Sequence, residues 1–237
     1  MEITPGIEII DLALYLKGSG ALVLSDLHIG FEESLMKQGV LVPRFHYKDI
    51  IDRLEQVFSK VKPKGIVLNG DLKHEFGRAS RQEWKETMRL FDYLQRKCEK
   101  IVIVKGNHDT SLGPLANKKG IMIVSELKLG NILIAHGDSM PKTKDAEVII
   151  VGHIHPAVSL HDKGRVERFK CFLKGKYKKS VLIVQPSFHP SVEGSDITKE
   201  KAKCPLIKDF ADFEVFVIDD ARKKVLGFGK VSNLPNA

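Results

Sequence analysis

Five short apolar runs of the sequence each end in side chains that can bind a metal ion. The runs are residues 21–25, 66–69, 101–104, 132–135 and 148–151, and the side chains after them are Asp26 and His28, Asp71, Asn107 with His108 and Asp109, His136, and His153 with His155. Imidazoles, carboxylates and an amide oxygen bind harder or borderline divalent ions, and no cysteine accompanies them. The set therefore predicts a site for Mn²⁺, Fe²⁺, Zn²⁺ or Ni²⁺ and excludes a structural zinc–thiolate site.

The combination of motifs indicates a metal site more strongly than any single motif does. An Asp-x-His or Gly-Asn-His-Asp sequence alone is typical of a turn, and a His-x-His pair places both rings on one face of a strand. Five such sequences at the ends of five apolar runs have no common explanation as turns. Seven ligands exceed one tetrahedral site but fit two ions that share a carboxylate. Two metals about 3.5–4 Å apart can clamp the attacking and leaving oxygens of a phosphoryl transfer and supply hydroxide at neutral pH.

Strands and helices alternate in the first half of the chain, and they must position these side chains. The apolar runs at residues 21–24, 65–68 and 101–104 predict strands buried on both faces, and residues 47–59 and 81–97 have helical spacing. This alternation predicts βαβ units and a largely parallel sheet. The strand-like runs of the second half follow without helices and predict antiparallel hairpins in a second sheet. Ligands bind beyond the carboxyl ends of such strands, so we expect the metal-binding residues on one rim.

The order of the motifs D-x-H, G-D, G-N-H-D, H and G-H-x-H resembles the calcineurin-like metallophosphoesterase superfamily. More narrowly, residues 25–39 (SDLHIGFEESLMKQG), 70–76 (GDLKHEF) and 171–175 (CFLKG) are similar to the SbcD-related, archaeal-type phosphoesterases and to the bacterial ligase-associated group. The resemblance implies a four-layer α/β/β/α sandwich, with two mixed sheets packed face to face and helices outside. It also implies a metal-dependent phosphoester hydrolase with its site at one edge of the sheets.

The resemblance assigns a role to each motif residue. It implies that Asp26, His28 and His155 hold a first metal, that Asn107, His136 and His153 hold a second, and that Asp71 bridges the two. It further implies that His108 is a catalytic general acid or a stabiliser of phosphoryl charge, and that Asp109 orients His108. A hydrogen-bonded turn without a catalytic role is the alternative for His108 and Asp109.

Nearly all of the excess positive charge lies in one segment. The chain carries a formal charge of +8, and residues 163–179 hold eight basic residues and one acidic residue, so that they supply +7. We predict a basic hairpin here, with Arg168 and Lys170 on one face, a turn at residues 174–178 and Tyr177 near the tip. Such a hairpin could bind a nucleic-acid backbone, with Tyr177 stacking on bases. The alternative is an edge strand that lysines protect from aggregation.

Several residues near the motifs have weaker signals. Lys73 and His74 follow Asp71 closely and could reach a substrate phosphate, or could have surface or helix-start roles. His189 lies in a turn-rich segment that either lines the floor of the site or is only a turn. His46 is interpreted as an ordinary surface or packing residue, and Glu32 as an acidic residue that complements a helix dipole.

Length and composition favour a single domain in a reducing compartment. With 237 residues the chain can bury a large core, and three widely spaced cysteines do not indicate a disulfide framework. We predict one domain over residues 1–231, a surface loop at 191–209 and a frayed tail at 232–237. The acidic residues of the first sixteen positions do not fit a targeting signal, and no apolar run approaches the roughly 20 residues of a membrane span. We therefore expect a soluble, cytoplasmic protein without membrane contact.

The leading functional hypothesis is a phosphodiesterase or nuclease with two divalent metals, most simply Mn²⁺, that uses a metal-activated hydroxide. The ligand set and the basic hairpin motivate this hypothesis. Only 27 residues separate His108 from His136, which leaves no room for a large substrate cap there. One alternative is a small-molecule phosphomonoesterase. A second is a non-catalytic nucleic-acid-binding protein with a structural metal site.

Overall fold

The computed structural model describes residues 1–42, 45–77, 79–162 and 165–234. A first sheet holds seven strands in chain order. They are β1 (Glu2–Thr4), β2 (Ile7–Ile10), β3 (Ala13–Leu16), β4 (Ala21–Ser25), β5 (Gly65–Asn69), β6 (Lys100–Val104) and β7 (Met122–Val124). Strands β4 to β7 are parallel, and β1 to β4 form antiparallel hairpins. Every residue of β4 is buried, as expected for a central strand covered on both faces.

A second sheet contains the remaining nine strands. They are β8 (Glu126–Leu129), β9 (Ile132–Ala135), β10 (Val148–Val151), β11 (Pro156–Asp162), β12 (Arg165–Tyr177), β13 (Ser180–Val184), β14 (Ser195–Asp196), β15 (Glu214–Asp219) and β16 (Lys224–Lys230). The predicted antiparallel pairing is wrong for β9, β10 and β13, which are parallel to one another. The hairpin of β11 and β12 forms the crossover between β10 and β13, so the parallel pairing needs no helix there.

In the described part of the first half of the chain there are four α-helices: α1 (Phe31–Lys37), α2 (His46–Lys60), α3 (Arg81–Lys97) and α4 (Gly113–Lys118). Helix α3 begins with a capping box, in which Ser80 Oγ accepts from the Glu83 N–H and Glu83 Oε2 accepts from the Ser80 N–H. The other Glu83 oxygen accepts from the backbone N–H groups of His74 and Glu75, at 3.1 and 2.8 Å. The cap of α3 therefore also fixes the loop that follows β5.

Alternate residues of the second sheet belong to two different apolar clusters. Ile134, Ile150 and Phe172 pack in the cluster that contains the first sheet and its helices. Their neighbours Leu133, Ile149 and Cys171 pack in a second cluster on the opposite face. The two sheets therefore face each other across a shared core, and the predicted α/β class with two mixed sheets and flanking helices is confirmed.

The outer face of the second sheet is covered by irregular chain. Ile197, Leu206, Ile207 and Phe210 of this segment are buried in the second cluster. Within the described residues no α-helix lies on this face, but a short 3-10 helix, Val231–Asn233, packs there through Val231. The predicted loop at 191–209 thus contributes buried apolar side chains. Of the tail predicted at 232–237, Leu234 is buried and residues 235–237 lie outside the described residues.

The basic segment forms a hairpin whose turn differs from the predicted one. Strand β12 continues to Tyr177, which pairs with Ser180, so the turn is Lys178–Lys179 and not 174–178. Residues 163 and 164 lie outside the described residues. Within the described residues, β12 has partners on both sides only at Leu173 and Lys174, which pair with β13 and β15, whereas residues 165–170 pair with β11 alone and residues 175–177 with β13 alone. The edge-strand interpretation therefore remains compatible with the two outer stretches of β12. Among the described residues, no helix is both long and apolar enough to cross a membrane.

Candidate metal centre

The loops after β4, β5, β6, β9 and β10 converge on one rim, where the two sheets meet. Eight non-glycine residues among those described have a positive φ, and five of them are predicted metal ligands. The five are Asp26 (54°), His28 (44°), Asp71 (44°), His153 (66°) and His155 (50°). Each such conformation costs about 1–3 kcal/mol and persists only where the surroundings impose it. The backbone is therefore held in unfavourable conformations that aim these side chains at one point.

One group of ligand atoms comes from Asp26, His28 and His155. These atoms all lie within 4.8 Å of one another. His155 Nε2 is 3.1 Å from Asp26 Oδ1 and 3.2 Å from His28 Nε2. This is the set that the resemblance to the metallophosphoesterases implies for the first metal.

A second group comes from Asp71, His136 and His153, again within 4.8 Å. His136 Nε2 lies 3.3 Å from Asp71 Oδ2 and 3.1 Å from the amide oxygen of Asn107. The two groups adjoin, because the other His136 ring nitrogen is 3.8 Å from Asp26 Oδ1. The structure therefore brings all seven predicted ligands together.

The buried atoms of the first group fit a cation. Asp26 is fully buried, and its Oδ1 has no hydrogen-bond partner among the described residues, although it faces two imidazoles. Its other oxygen is fixed, since it accepts from Ser25 Oγ at 2.6 Å and from the His153 N–H at 3.1 Å. A carboxylate that is fixed by hydrogen bonds through one oxygen and faces only imidazole nitrogens through the other is suited to a metal ion.

Glycines allow the ligands to approach the backbone closely. A Cβ atom on Gly152 would collide with Ser25 Oγ and Asp26 Oδ2, and one on Gly70 would collide with the His136 ring. Gly70 also has a φ of +76°. Gly152 and Gly70 are therefore needed because any side chain there would displace a metal ligand, and not only because glycine favours turns.

The carboxylates and imidazoles at this rim shift one another's pKa values. Burial alone would raise the pKa of Asp26, but the neighbouring imidazoles of His155 and His136 outweigh it and hold the pKa well below its usual range. Burial would lower the pKa of His136, but the hydrogen bond to Asp71 and the two nearby carboxylates raise it to about 9. Burial, followed by repulsion from His155, lowers the pKa of His28 far below its usual value. A metal ion must compete with the proton of His136.

His108 lies at the opening of the site. Its backbone N–H donates to Asp71 Oδ1 at 2.9 Å, its Nδ1 contacts the His74 carbonyl oxygen, and its Nε2 is 3.8 Å from Asp71 Oδ2. The Phe76 ring packs on the imidazole with the centroids 3.7 Å apart. The His108 imidazole therefore lies beside the two groups of ligand atoms but belongs to neither group.

Asp109 does not orient His108 as predicted. Its carboxylate accepts from the backbone N–H groups of Leu72, Gly106 and, at 3.5 Å, Lys73, and among the described residues it has no hydrogen bond with the His108 ring. The side chain is buried, so it satisfies amides beneath the site. Burial raises its pKa to about 6, although these amides act in the opposite direction. Asp109 ties the loop after β6 to the loop after β5.

His74 and Lys73, both predicted to bind substrate, differ in where they lie relative to the metal ligands. The His74 ring lies 5.3 Å from that of His28 and 5.9 Å from that of His108, between ring centroids, so His74 is adjacent to the site. Lys73 is buried, and its ammonium group donates to the Glu75 carbonyl oxygen. Lys73 therefore stabilises the loop and is not presented to a ligand.

Of the three hairpin residues predicted to bind substrate, Lys170 and Arg168 donate to backbone carbonyl oxygens, and Tyr177 lies away from the metal ligands. Lys170 Nζ donates to the carbonyl oxygens of Ser187, at 2.9 Å, and His189, beneath the site. Arg168 donates to the Gly194 carbonyl oxygen at 3.2 Å. Tyr177 pairs with the first residue of β13, whereas the ligands lie at the carboxyl ends of the parallel strands. Tyr177 is therefore at the opposite end of the sheet.

Other lysines line the opening. A cavity of about 260 Å³ is lined both by ligand side chains and by residues of the segment after β13, which are Ser195, Glu200, Lys201, Lys203 and Phe210. From the sequence, residues 191–209 are interpreted only as a surface loop. The lysines at 199, 201, 203 and 208 were the available signal, since they follow the last metal motif in a segment without periodicity.

Comparison with known proteins gives one family and one fold. A sequence model described as calcineurin-like phosphoesterase matches residues 21–172, which include every predicted ligand. No curated protein gives a significant match. The chain is similar to the crystal structure of Pseudomonas putida nuclease MPE, with 20% identity, a TM-score of 0.66 and 93% of each chain covered. It is also similar to YfcE, a phosphoesterase from E. coli, with 14% identity, a TM-score of 0.41, and 87% of this chain and 96% of that chain covered.

Proposed function

This chain belongs to the calcineurin-like phosphoesterase family and is a metal-binding hydrolase, and on this premise we propose that it is a phosphodiesterase that cleaves nucleic acid with two divalent metals, most simply Mn²⁺. The observation that carries the proposal is the pair of adjoining ligand groups on one rim. Asp26, His28 and His155 would hold one ion, and Asn107, His136 and His153 the other. Asp71 would bridge them.

Divalent metals bound in this way polarise a phosphoryl oxygen and lower the pKa of a water to about 7, which makes hydroxide available as the nucleophile at neutral pH. The residues of the chain set the geometry of that chemistry. Ser25 and the His153 N–H fix the carboxylate of Asp26, and the buried Asp109 fixes the two loops that carry Asp71 and Asn107. Preorganised ligands of this kind avoid reorganisation during the reaction.

His108 is proposed as the general acid. It lies at the opening and is held through its backbone by Asp71, and its Nδ1 contacts the His74 carbonyl oxygen. That contact favours a proton on Nδ1, as does the carbonyl partner of many metal-site histidines. Nε2 then faces the ligand groups, where it can stabilise phosphoryl charge or protonate the leaving oxygen when the imidazole is charged.

A phosphodiester is favoured over a monoester by the open, cationic entrance. Lys201 and Lys203 are exposed and line the same cavity as His28, Asp71 and His155. The chain between His108 and His136 folds as α4, β7, β8 and β9, and these elements belong to the sheets and their helical layer. A polymeric backbone could therefore lie across the entrance, with its flanking phosphates near the lysines. A contact with the turn of the basic hairpin stays a prediction, and it would require the polymer to extend to the other end of the sheet.

The test is a substrate panel with metal-stripped protein reconstituted in Mn²⁺. It contains bis-p-nitrophenyl phosphate, p-nitrophenyl phosphate, cyclic nucleotides, and single- and double-stranded DNA. We expect hydrolysis of the diester and of DNA, abolished in Asp71→Asn, and the variant excludes a contaminating nuclease. Turnover of the monoester alone would establish the phosphomonoesterase alternative. Salt-sensitive DNA binding without hydrolysis in any metal would establish the non-catalytic alternative.

A further inference from the structure

We propose that Glu32, His46 and His189 bind one more divalent ion of the zinc class, at a site separate from the proposed catalytic pair. Glu32 lies in α1, His46 is the first residue of α2, and His189 lies in the loop after β13. One ligand atom of each lies within 4.8 Å of the others, a limit that the two groups on the rim also satisfy. Three elements that are distant in sequence therefore converge on one point.

The cluster is buried and incompletely hydrogen-bonded. Glu32 is 1% exposed and His189 is 0% exposed. The Nδ1 atom of His189 accepts from the Ser191 N–H at 3.2 Å, so the proton of a neutral ring must be on Nε2. That Nε2 is buried without a hydrogen-bond partner in the described part of the chain. Leaving such a group unsatisfied costs about 1–3 kcal/mol, whereas a metal ion would use the nitrogen as a ligand.

The hydrogen-bond partners of the Glu32 and His189 side chains resemble those of metal ligands. Gln82 Nε2 donates to Glu32 Oε1 at 3.2 Å, which leaves Oε2 facing His46 Nδ1, also at 3.2 Å. That nitrogen also lacks a hydrogen bond of good geometry within the described residues. Outer hydrogen bonds of this kind, from Gln82 to Glu32 and from Ser191 to His189, orient the first ligands of metal sites.

The donor set and its spacing fit Zn²⁺. Two imidazoles and one carboxylate hold zinc in tetrahedral sites with bonds of about 2.0–2.2 Å, which places neighbouring ligand atoms about 3.3 Å apart. The separation between Glu32 Oε2 and His46 Nδ1 already has this value within 0.1 Å. A simple ion pair between Glu32 and a protonated His46 is the competing explanation, but it leaves His189 Nε2 unpaired.

The site is distinct from the rim that carries the catalytic ligands. The Phe31 ring contacts the rings of His46, His189 and His74, with centroid distances of 6.2, 5.4 and 5.0 Å. His74 in turn contacts His28. One phenyl ring and one imidazole therefore separate the cluster from the first group of ligands. An ion here would pin α1 and the start of α2 to the loop beneath the rim, and the partly exposed His46 offers a route of entry.

The test counts bound zinc in the full chain. Protein stripped with a chelator, reloaded with Zn²⁺ and dialysed is analysed by mass spectrometry of the metal. We expect Glu32→Gln and His46→Gln each to bind one ion fewer than the wild type. The matched control is Glu33→Gln, because that neighbouring carboxylate contacts Ser80 and not the cluster. Equal counts in all four proteins would overturn the proposal. The count is a difference between proteins, so it is independent of how many ions the rim binds.

A second measurement looks for a new absorption band in a variant. A new band cannot result from loss of folding, so this result does not depend on whether the substitution destabilises the protein. His46→Cys would place a thiolate in the cluster, and loading with Co²⁺ should then give a thiolate-to-cobalt charge-transfer band that the wild type lacks. Glu33→Cys is the matched control and should give no band. A folded His46→Cys protein without the band would overturn the proposal.

Discussion

The Nε2 atoms of His28 and His155 lie 3.2 Å apart, although the two residues are 127 positions apart in sequence. Each side chain projects from a residue with positive φ, and His155 Nε2 also faces Asp26 Oδ1. Burial, followed by repulsion from His155, lowers the pKa of His28 far below its usual value, so the His28 ring is neutral and keeps a lone pair available to a cation. The arrangement is therefore better suited to holding a metal than to pairing the side chains with each other.

The first prediction concerns the loss of one of these rings. His155→Ala should reduce the thermal stabilisation that Mn²⁺ gives the folded chain, because an ion that binds only the native state stabilises it by about 2.7 kcal/mol at one hundred times its Kd. The measurement is thermal unfolding of stripped protein with increasing Mn²⁺. Lys203→Ala is the control, since Lys203 lines the cavity but is not a ligand. An undiminished Mn²⁺ shift in His155→Ala would remove this residue from the ligand set.

The second prediction separates catalysis from metal binding. His108→Ala should lower kcat by about 10²–10⁴, the usual contribution of a general acid, and leave the metal content unchanged. The reason is that His108 contacts Asp71 through its backbone N–H, which alanine retains. Turnover on a diester and metal content by mass spectrometry are measured on the same preparation. Wild-type turnover would exclude His108 from the chemistry, and loss of metal would make it a structural residue.

The third prediction tests the close approach at Gly152. Gly152→Ala should destabilise the fold by about 1–3 kcal/mol and weaken metal binding, because the new methyl group overlaps Ser25 and Asp26. Gly113→Ala is the matched control, because a Cβ there meets no atom within 4 Å. Urea unfolding with and without Mn²⁺ measures both effects. Equal stability of the two variants would contradict the steric role.

The metal ligands could be predicted from sequence because their signal is local. Each follows an apolar run, and parallel strands end at a common edge whatever the details of the loops. The left-handed backbone at Asp26 and His155 could not be predicted, since it is imposed by contacts between loops far apart in sequence. The partners of Asp109 were mistaken for the same reason. Its nearest neighbour in sequence is His108, but its buried carboxylate satisfies amides of another loop.

The position of a charged segment was harder to predict than its existence. Charge counting found the basic residues around Tyr177, but the length of β12 moves the turn to the amino end of β13. The lysines at the opening, Lys201 and Lys203, belong to a segment whose path depends on the burial of Ile197, Leu206 and Phe210. No periodicity in the sequence encodes that path.

The fourth prediction compares the two sets of lysines as binding groups for nucleic acid. Lys201→Ala with Lys203→Ala should raise the KM for single-stranded DNA and reduce the salt dependence of binding, by about 0.7 in log–log slope for each phosphate that is no longer neutralised. The control is Lys178→Ala with Lys179→Ala, at the turn of the hairpin. Fluorescence anisotropy at several salt concentrations gives the slopes. A larger effect of the control pair would assign the nucleic-acid binding to the hairpin.

The fifth prediction follows from the buried Lys170. Burial, followed by repulsion from Arg53, lowers its pKa to about 7. Between this value and the ordinary 10.5 the unfolded chain binds a proton that the folded chain does not, so the free energy of unfolding rises with pH in that window, by up to about 1.4 kcal/mol per unit. Below pH 7 both states carry the proton, and the cost of burying the charge is fully present.

Lys170→Met removes this titration, so the difference in unfolding free energy between the wild type and the variant should move in favour of the wild type by about 2 kcal/mol from pH 7 to pH 9. Urea unfolding at pH 7, 8 and 9 provides the difference, in which groups common to both proteins cancel. Lys174→Met, on the same strand but paired with Glu214, is the control and should show no such change. Parallel pH curves for the wild type and Lys170→Met would mean that Lys170 keeps its proton in the folded chain. Its hydrogen bonds to the carbonyl oxygens of Ser187 and His189 would then be those of an ammonium ion.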